Sequence, residues 1–252
     1  MSRLRHAEHV MGTVVSFDVP PMAQDNGALA AAVRWLHWVD ATFSTYQAGS
    51  DVSRLGRGEV SVAECAPEVA QVLAACDALR QQSGGYFTAY PAGTLDPSGY
   101  VKGWAVERAA RILTQAGSTA HTVNGGGDVQ CVGARPDAAC WRIGISSPLH
   151  PGVLALVVTG QDFAVATSGI AERGAHIIDP VAGRPAAGLA SVTVVGPSLT
   201  LADAYATAAF AMGPSLARQW TRDALDGYEA YAILPDGATW RTPGFGSYLP
   251  AD

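Results

Sequence analysis

Four short segments of the 252-residue chain carry side chains whose types and spacing could do chemistry. The first is D-P-S-G-Y-V-K-G, from Asp96 to Gly103. It is a glycine-flanked turn that delivers Asp96 and Lys102 at the start of a helix. Backbone N–H groups at such a helix end point outward with partial positive charge, so an anion or a metal-bound phosphate sits there readily. An Asp that merely caps the helix beside a solvated Lys would leave the same pattern. The second is V-N-G-G-G-D-V, residues 123 to 129, where successive glycines let a ligand approach the backbone. A hairpin turn ending in Asp128 reads the same way. The third, residues 166 to 185, combines small hydroxyl residues with His176 and Asp179. An imidazole titrates near neutrality and could accept a hydroxyl proton, although a His beside a strand can equally be structural. The fourth is A-D-A-Y-A-T, in which Asp203 and Thr207 are four apart and share one helical face. A carboxylate and a hydroxyl so stacked are hard oxygen ligands suited to Mg²⁺. The same two residues are also consistent with a carboxylate in a first helical turn and a Thr bonding its own backbone.

The elements that must position these groups follow from periodicity. Residues 8 to 19 alternate as one strand, and Pro20 and Pro21 end it. Helices are expected over about 26–43, 67–82 and 101–116, the last stopped by Gly117. From His121 to Val195 the pattern turns to short β segments separated by turn residues, as in a mostly antiparallel sheet. Helices return over about 201–212 and 215–225, and a hairpin around Pro235, Asp236 and Gly237 closes the chain. Strands and helices interleave without a Pro-rich or charged linker. The expected fold is α+β, one domain over residues 1–252, with helices packed on the sheet.

Composition narrows the function classes. Apolar residues make up 48% and charged residues 15%, enough for a sizeable core. The formal charge of -6 argues against a nucleic-acid footprint, which needs clustered Lys and Arg. No segment has the apolar length of a membrane span, and the first residues lack an export-type apolar run, so a cytoplasmic protein is expected. Cys65, Cys76, Cys131 and Cys140 have no C-x-x-C spacing and read as thiols, with Cys131 and Cys140 flanking an expected hairpin. Of the sixteen basic residues only Lys102 is a lysine, which hints at a site that needs a compact point charge in place of a planar fork.

Taken in order, M11-G-T13, F43-S-T-Y46 with S50-D-V-S53-R-L, G85-Y-F87, D96-P-S-G-Y-V-K-G103, N124-G-G-G-D128, T167-S-G169, H176-I-I-D-P180 with G183-R-P185, and A202-D-A-Y-A-T207 resemble the ApbE family of FAD:protein FMN transferases. The resemblance implies a T-fold-like core with FAD in a cleft lined by these loops. It implies that Met11, Tyr46, Asp96, Lys102 and Ile177 contact FAD, and that Mg²⁺ is held by the Gly99 carbonyl, Asp203 and Thr207. It also implies that His176 is the catalytic base. The reaction so implied moves the FMN half of FAD onto a threonine of an acceptor protein and releases AMP. An FAD pyrophosphatase and a non-catalytic flavin-binding protein are the competing readings.

Overall fold

The computed structural model describes residues 3–25, 27–135, 138–170 and 177–250. Its centre is an eight-stranded antiparallel sheet in the order β1-β2-β3-β4-β7-β10-β11-β12. These strands are β1 (Leu4–Val10), β2 (Thr13–Val19), β3 (His121–Gly125), β4 (Asp128–Val132), β7 (Ala164–Gly169), β10 (Ser191–Gly196), β11 (Glu229–Ile233) and β12 (Thr239–Arg241). Two hairpins interrupt the series: β5 (Trp141–Ser146) with β6 (Leu154–Gly160), and β8 (Ile178–Asp179) with β9 (Arg184–Pro185). The helices are α1 (Met22–Asp25), α2 (Ala28–Phe43), α3 (Asp51–Gly56), α4 (Pro67–Gln82), α5 (Ser98–Gln115) and α6 (Leu199–Ala224). The chain is therefore α+β, as its periodicity predicts.

The middle of the sheet is buried on both faces, which is why β10 reads as a nearly continuous apolar run and every one of its residues is buried, whereas β1 and β12 expose alternate residues. Ala164, Ala166, Val192 and Val194 point into the helical layer built by α2, α5 and α6. The alternate residues Val165 and Val195, with Cys131, pack instead against Trp141, Ile145 and Val158 of the β5–β6 hairpin and against Phe245 near the C-terminus. The period of two thus feeds two separate cores.

Two expectations need correction. The single strand over 8–19 is a hairpin, with Val10 paired to Thr13 across Met11 and Gly12. Both turn residues have positive φ, 55° and 67°, the geometry a two-residue hairpin requires. Met is not a turn former, so M-G does not announce the turn. The one-residue slip in alternation that the turn imposes is hidden by the adjacent Val14 and Val15, of which only Val15 is buried. Cys131 and Cys140 do not flank a hairpin either: β4 pairs with β3 and β7, whereas β5 pairs with β6, and all four cysteines are free thiols.

Helix boundaries shift in ways that bear on the site. The helix expected from 101 begins at Ser98, and the one expected from 201 begins at Leu199 and breaks at Gly213 (φ 71°) before Pro214. Asp203 therefore sits one turn inside α6 and not at its first turn. Helices α5 and α6 meet closely at Gly103, where an added Cβ would lie 2.7 Å from the Leu199 carbonyl oxygen and 2.9 Å from the Asp203 Cβ. Gly103→Ala gains about 1 kcal/mol of helix propensity but overpacks a backbone contact that cannot yield, at about 1–3 kcal/mol. A net lower melting temperature is expected in thermal unfolding; an unchanged or higher one would mean that the two helices separate freely.

Candidate functional site

A cavity of about 780 Å³ opens where the helical layer meets one end of the sheet. Met11, Tyr46, Asp96, Gly99, Lys102, Ile177, Asp203 and Thr207, expected at a site from sequence, all line it. His176 lies outside the described residues; its successor Ile177 is on the cavity wall. A second groove of about 360 Å³ beside the break at Gly213 shares only Tyr86 with this cavity.

Local bonding explains the motif order. The S-T-Y loop is tied down by the S-D-V-S segment: Ser50 and Ser53 both donate to the Ser44 carbonyl, at 2.6 and 3.1 Å, while Ser50 Oγ caps α3 by accepting from the Ser53 N–H at 3.0 Å. The loop is fixed and Tyr46 is left 95% exposed at the cavity mouth, an aromatic face free to stack on a planar ligand. Asp96 Oδ1 accepts from the Ser98 N–H at 3.0 Å, so it both opens α5 and faces the cavity. The two readings of the triple glycine also coexist: Gly126 and Gly127, both with positive φ, form the β3–β4 turn and line the cavity. A Cβ on Gly126 would lie 2.7 Å from Thr13 Oγ1, so this turn and the Met11-Gly12 turn pack together along one rim. Met11, a non-glycine residue in left-handed conformation, carries backbone strain of about 1 kcal/mol at that rim.

At the floor Lys102 lies between two carboxylates. Its Nζ is in direct contact with Asp128 Oδ2 and is 3.4 Å from Asp203 Oδ1. Asp128 and Asp203 are almost wholly buried, and each takes a backbone N–H: Thr167 to Asp128 Oδ1 at 2.8 Å, Gly103 to Asp203 Oδ2 at 3.0 Å. Burial works against the Lys102 charge, but Asp128 and Asp203 outweigh it and hold the amine above its ordinary pKa. Burial, helped by repulsion from Asp128, pushes the Asp203 carboxyl up to about 7 against the pull of Lys102 and the Gly103 N–H. The solvated lysine and self-bonded threonine readings therefore fail, since Thr207 Oγ1 lies 3.3 Å from Ser168 Oγ.

Two buried carboxylates and one ammonium leave an excess negative charge, and that suits a cation. Among the described residues no group of three or more His, Cys, Asp or Glu is placed to hold a metal. A metal here would be held by one carboxylate together with neutral oxygens, the donor set of Mg²⁺, which keeps several waters. Gly99 lies beside Thr207, since a Cβ on it would be 3.6 Å from Thr207 Oγ1. The residues present fit a magnesium site.

Helix α6 is placed by groups that sequence reasoning missed. Glu107 Oε2 accepts from Ser198 Oγ (2.5 Å), the Thr200 N–H (2.9 Å) and Thr200 Oγ1 (2.6 Å), while Gln130 Oε1 accepts from the Leu199 N–H at 3.0 Å. These bonds satisfy the free N–H end of the helix that carries Asp203 and Thr207. Asp128 was missed as an ion-pair partner; its only local signal is that it closes the glycine run.

The ApbE family model matches residues 11–90 and 88–232. An FAD:protein FMN transferase of Escherichia coli (strain K12) is 31% identical over 171 residues, 63% of this chain and 48% of that protein. One from Rhodobacter capsulatus is 37% identical over 174 residues, 64% of this chain and 32% of that protein. The chain thus spans about half or less of the length of these curated relatives. The fold is similar to a flavin transferase ApbE from Vibrio cholerae, with TM-score 0.85, 23% identity and coverage of 98% of this chain and 99% of that one. It is also similar to an ApbE protein from Thermotoga maritima, with TM-score 0.88, 22% identity and coverage of 99% and 100%.

Proposed function

This chain belongs to the ApbE family, and from that premise we propose that it is a magnesium-dependent FAD:protein FMN transferase whose acceptor is a threonine of another protein. The observation that carries the reading is the convergence of eight residues on one cavity, with Lys102 set between the buried carboxylates of Asp128 and Asp203 at its floor.

In this reading the acceptor hydroxyl attacks the FMN-side phosphorus of FAD. A new P–O bond forms to the threonine, the bridging P–O bond of the pyrophosphate breaks, and AMP leaves with its electron pair. His176 takes the hydroxyl proton as attack proceeds. Tyr46, Met11 and Ile177 hold the flavin, and Asp96 fixes the start of α5 against the nucleotide. Lys102 sets a positive charge at the floor of the cavity, where burial lowers the local dielectric and makes that charge more effective than in water. The glycines of the β3–β4 turn let a ligand come close to the backbone because no side chain projects from them, while their N–H groups are held by the Val14 carbonyl and by Asn124 Oδ1. A magnesium ion on Asp203, Thr207 and the Gly99 carbonyl would supply charge to oxygens that become more negative as AMP departs.

Mass spectrometry after mixing the protein with FAD, Mg²⁺ and a threonine-bearing acceptor is expected to show the acceptor heavier by one FMN, with one AMP released per transfer. AMP accumulating without an acceptor would instead mark a pyrophosphatase. Bound FAD that stays intact would mark a flavin-binding protein and refute the transferase reading.

A further inference from the structure

Lys102 is the only lysine of the chain, and its ammonium has two carboxylates to choose from. It lies against Asp128 and stands off from Asp203 Oδ1 at 3.4 Å. Asp128 is rigidly set for this: it opens β4 directly after the Gly126-Gly127 turn, it is 2% exposed, and its other oxygen is occupied by the Thr167 N–H. We infer that Asp128 is a positioning residue that holds the Lys102 ammonium away from Asp203 and so keeps the Asp203 carboxylate available to a divalent cation. This rests on the reading of Asp203 as a metal-holding group.

With Asp128 present the three groups carry one net negative charge, and a divalent cation arriving at Asp203 is attracted. Without the Asp128 charge, Lys102 and Asp203 form a neutral pair in a buried place, and the ammonium, already 3.4 Å away, closes onto the oxygen that the metal needs. A cation would then have to expel an ammonium from low-dielectric surroundings. Asp203 Oδ2 already accepts from the Gly103 N–H at 3.0 Å where α5 and α6 pack closely, and Oδ1 is the oxygen that stands nearest the ammonium. Thr207, Ser168 beside it and the Gly99 backbone offer only neutral oxygens and cannot replace the lost charge.

Calorimetric titration of MgCl₂ into the full chain, without FAD and at mildly alkaline pH, tests this through binding alone. Asp128→Asn keeps the shape and the acceptor for the Thr167 N–H, and is expected to weaken Mg²⁺ binding on the order of tenfold. Adding Lys102→Met to that variant removes the competing ammonium and is expected to bring affinity back to within about threefold of wild type. Unchanged affinity in Asp128→Asn overturns the inference. So does a double variant as weak as Asp128→Asn, because the defect would then not pass through Lys102. Wild-type binding that survives Asp203→Asn strikes the underlying metal reading instead, and so tells the two failures apart.

Discussion

Asp203→Asn is expected to abolish FMN transfer while leaving the protein folded at least as firmly as before. The amide keeps the shape of the side chain and an oxygen for the Gly103 N–H, so the α5–α6 contact survives. It removes the one charged group among the proposed magnesium donors, and loss of that charge stabilisation costs roughly a hundredfold to a thousandfold in turnover. Stability moves the other way. In the folded protein Asp203 titrates at about 7 against an ordinary 3.8, chiefly because it is buried. Between those values the folded state holds a proton that the unfolded state has released. The stability this group contributes is full below 3.8 and drains away as pH rises through 7. The Asn variant lacks that drain, and one carboxylate then faces one ammonium. Its melting temperature should equal or exceed that of wild type, increasingly so toward neutral pH, as when activity is maintained at the cost of a strained site. A variant that retained a tenth or more of wild-type transfer at saturating Mg²⁺ would remove Asp203 from the mechanism.

Lys102→Met is expected to damage the fold itself. The methionine matches the apolar stem but leaves Asp128 and Asp203, both buried, facing each other without a cation. Breaking such a set by removing one partner costs about 3 kcal/mol, which for a chain of this length lowers the melting temperature by roughly 6–12 °C. The loss should be greatest at and above neutral pH, where Asp203 must ionise, and should shrink as acid protonates it. Mg²⁺ should raise the melting temperature of the variant by more than it raises that of wild type, since a divalent ion then neutralises both charges. Thermal unfolding across pH, with and without Mg²⁺, measures all of this. A variant as stable as wild type above neutral pH would show that the lysine does not offset the cost of placing the two carboxylates side by side.

These outcomes separate two roles that one cluster plays. In the proposed reading Asp203 is costly to fold and needed for chemistry, Lys102 offsets that cost and lends its charge to the ligand, and Asp128 decides where the ammonium rests. The wider framework serves the same end. Glu107 and Gln130 hold the N-terminal end of α6, and the S-D-V-S segment holds the loop that presents Tyr46. Each network fixes a backbone from which side chains of the cavity wall project.

Features that depend on neighbours within a helical turn or a β alternation were legible from the order of residues alone. Asp203 and Thr207 share a face because they are four apart, the glycines before Asp128 turn the chain because only they take positive φ readily, and Gly117 stops α5 with φ 93°. The order of such motifs carried the family and the α+β class. The Met11-Gly12 turn escaped because its strained Met gives no turn signal, and β5 was set beside the wrong strand because alternation does not say which strand pairs with which. Only the tertiary structure decided that Lys102 meets Asp128, 26 residues away, and that the Gly103 N–H meets Asp203, 100 residues away. Such pairings arise when packed layers bring distant segments together, and no local period records them. A charge's partner, and hence its effect on a bound ion, is set by distance through space and by burial, both of which exist only after the chain has closed on itself.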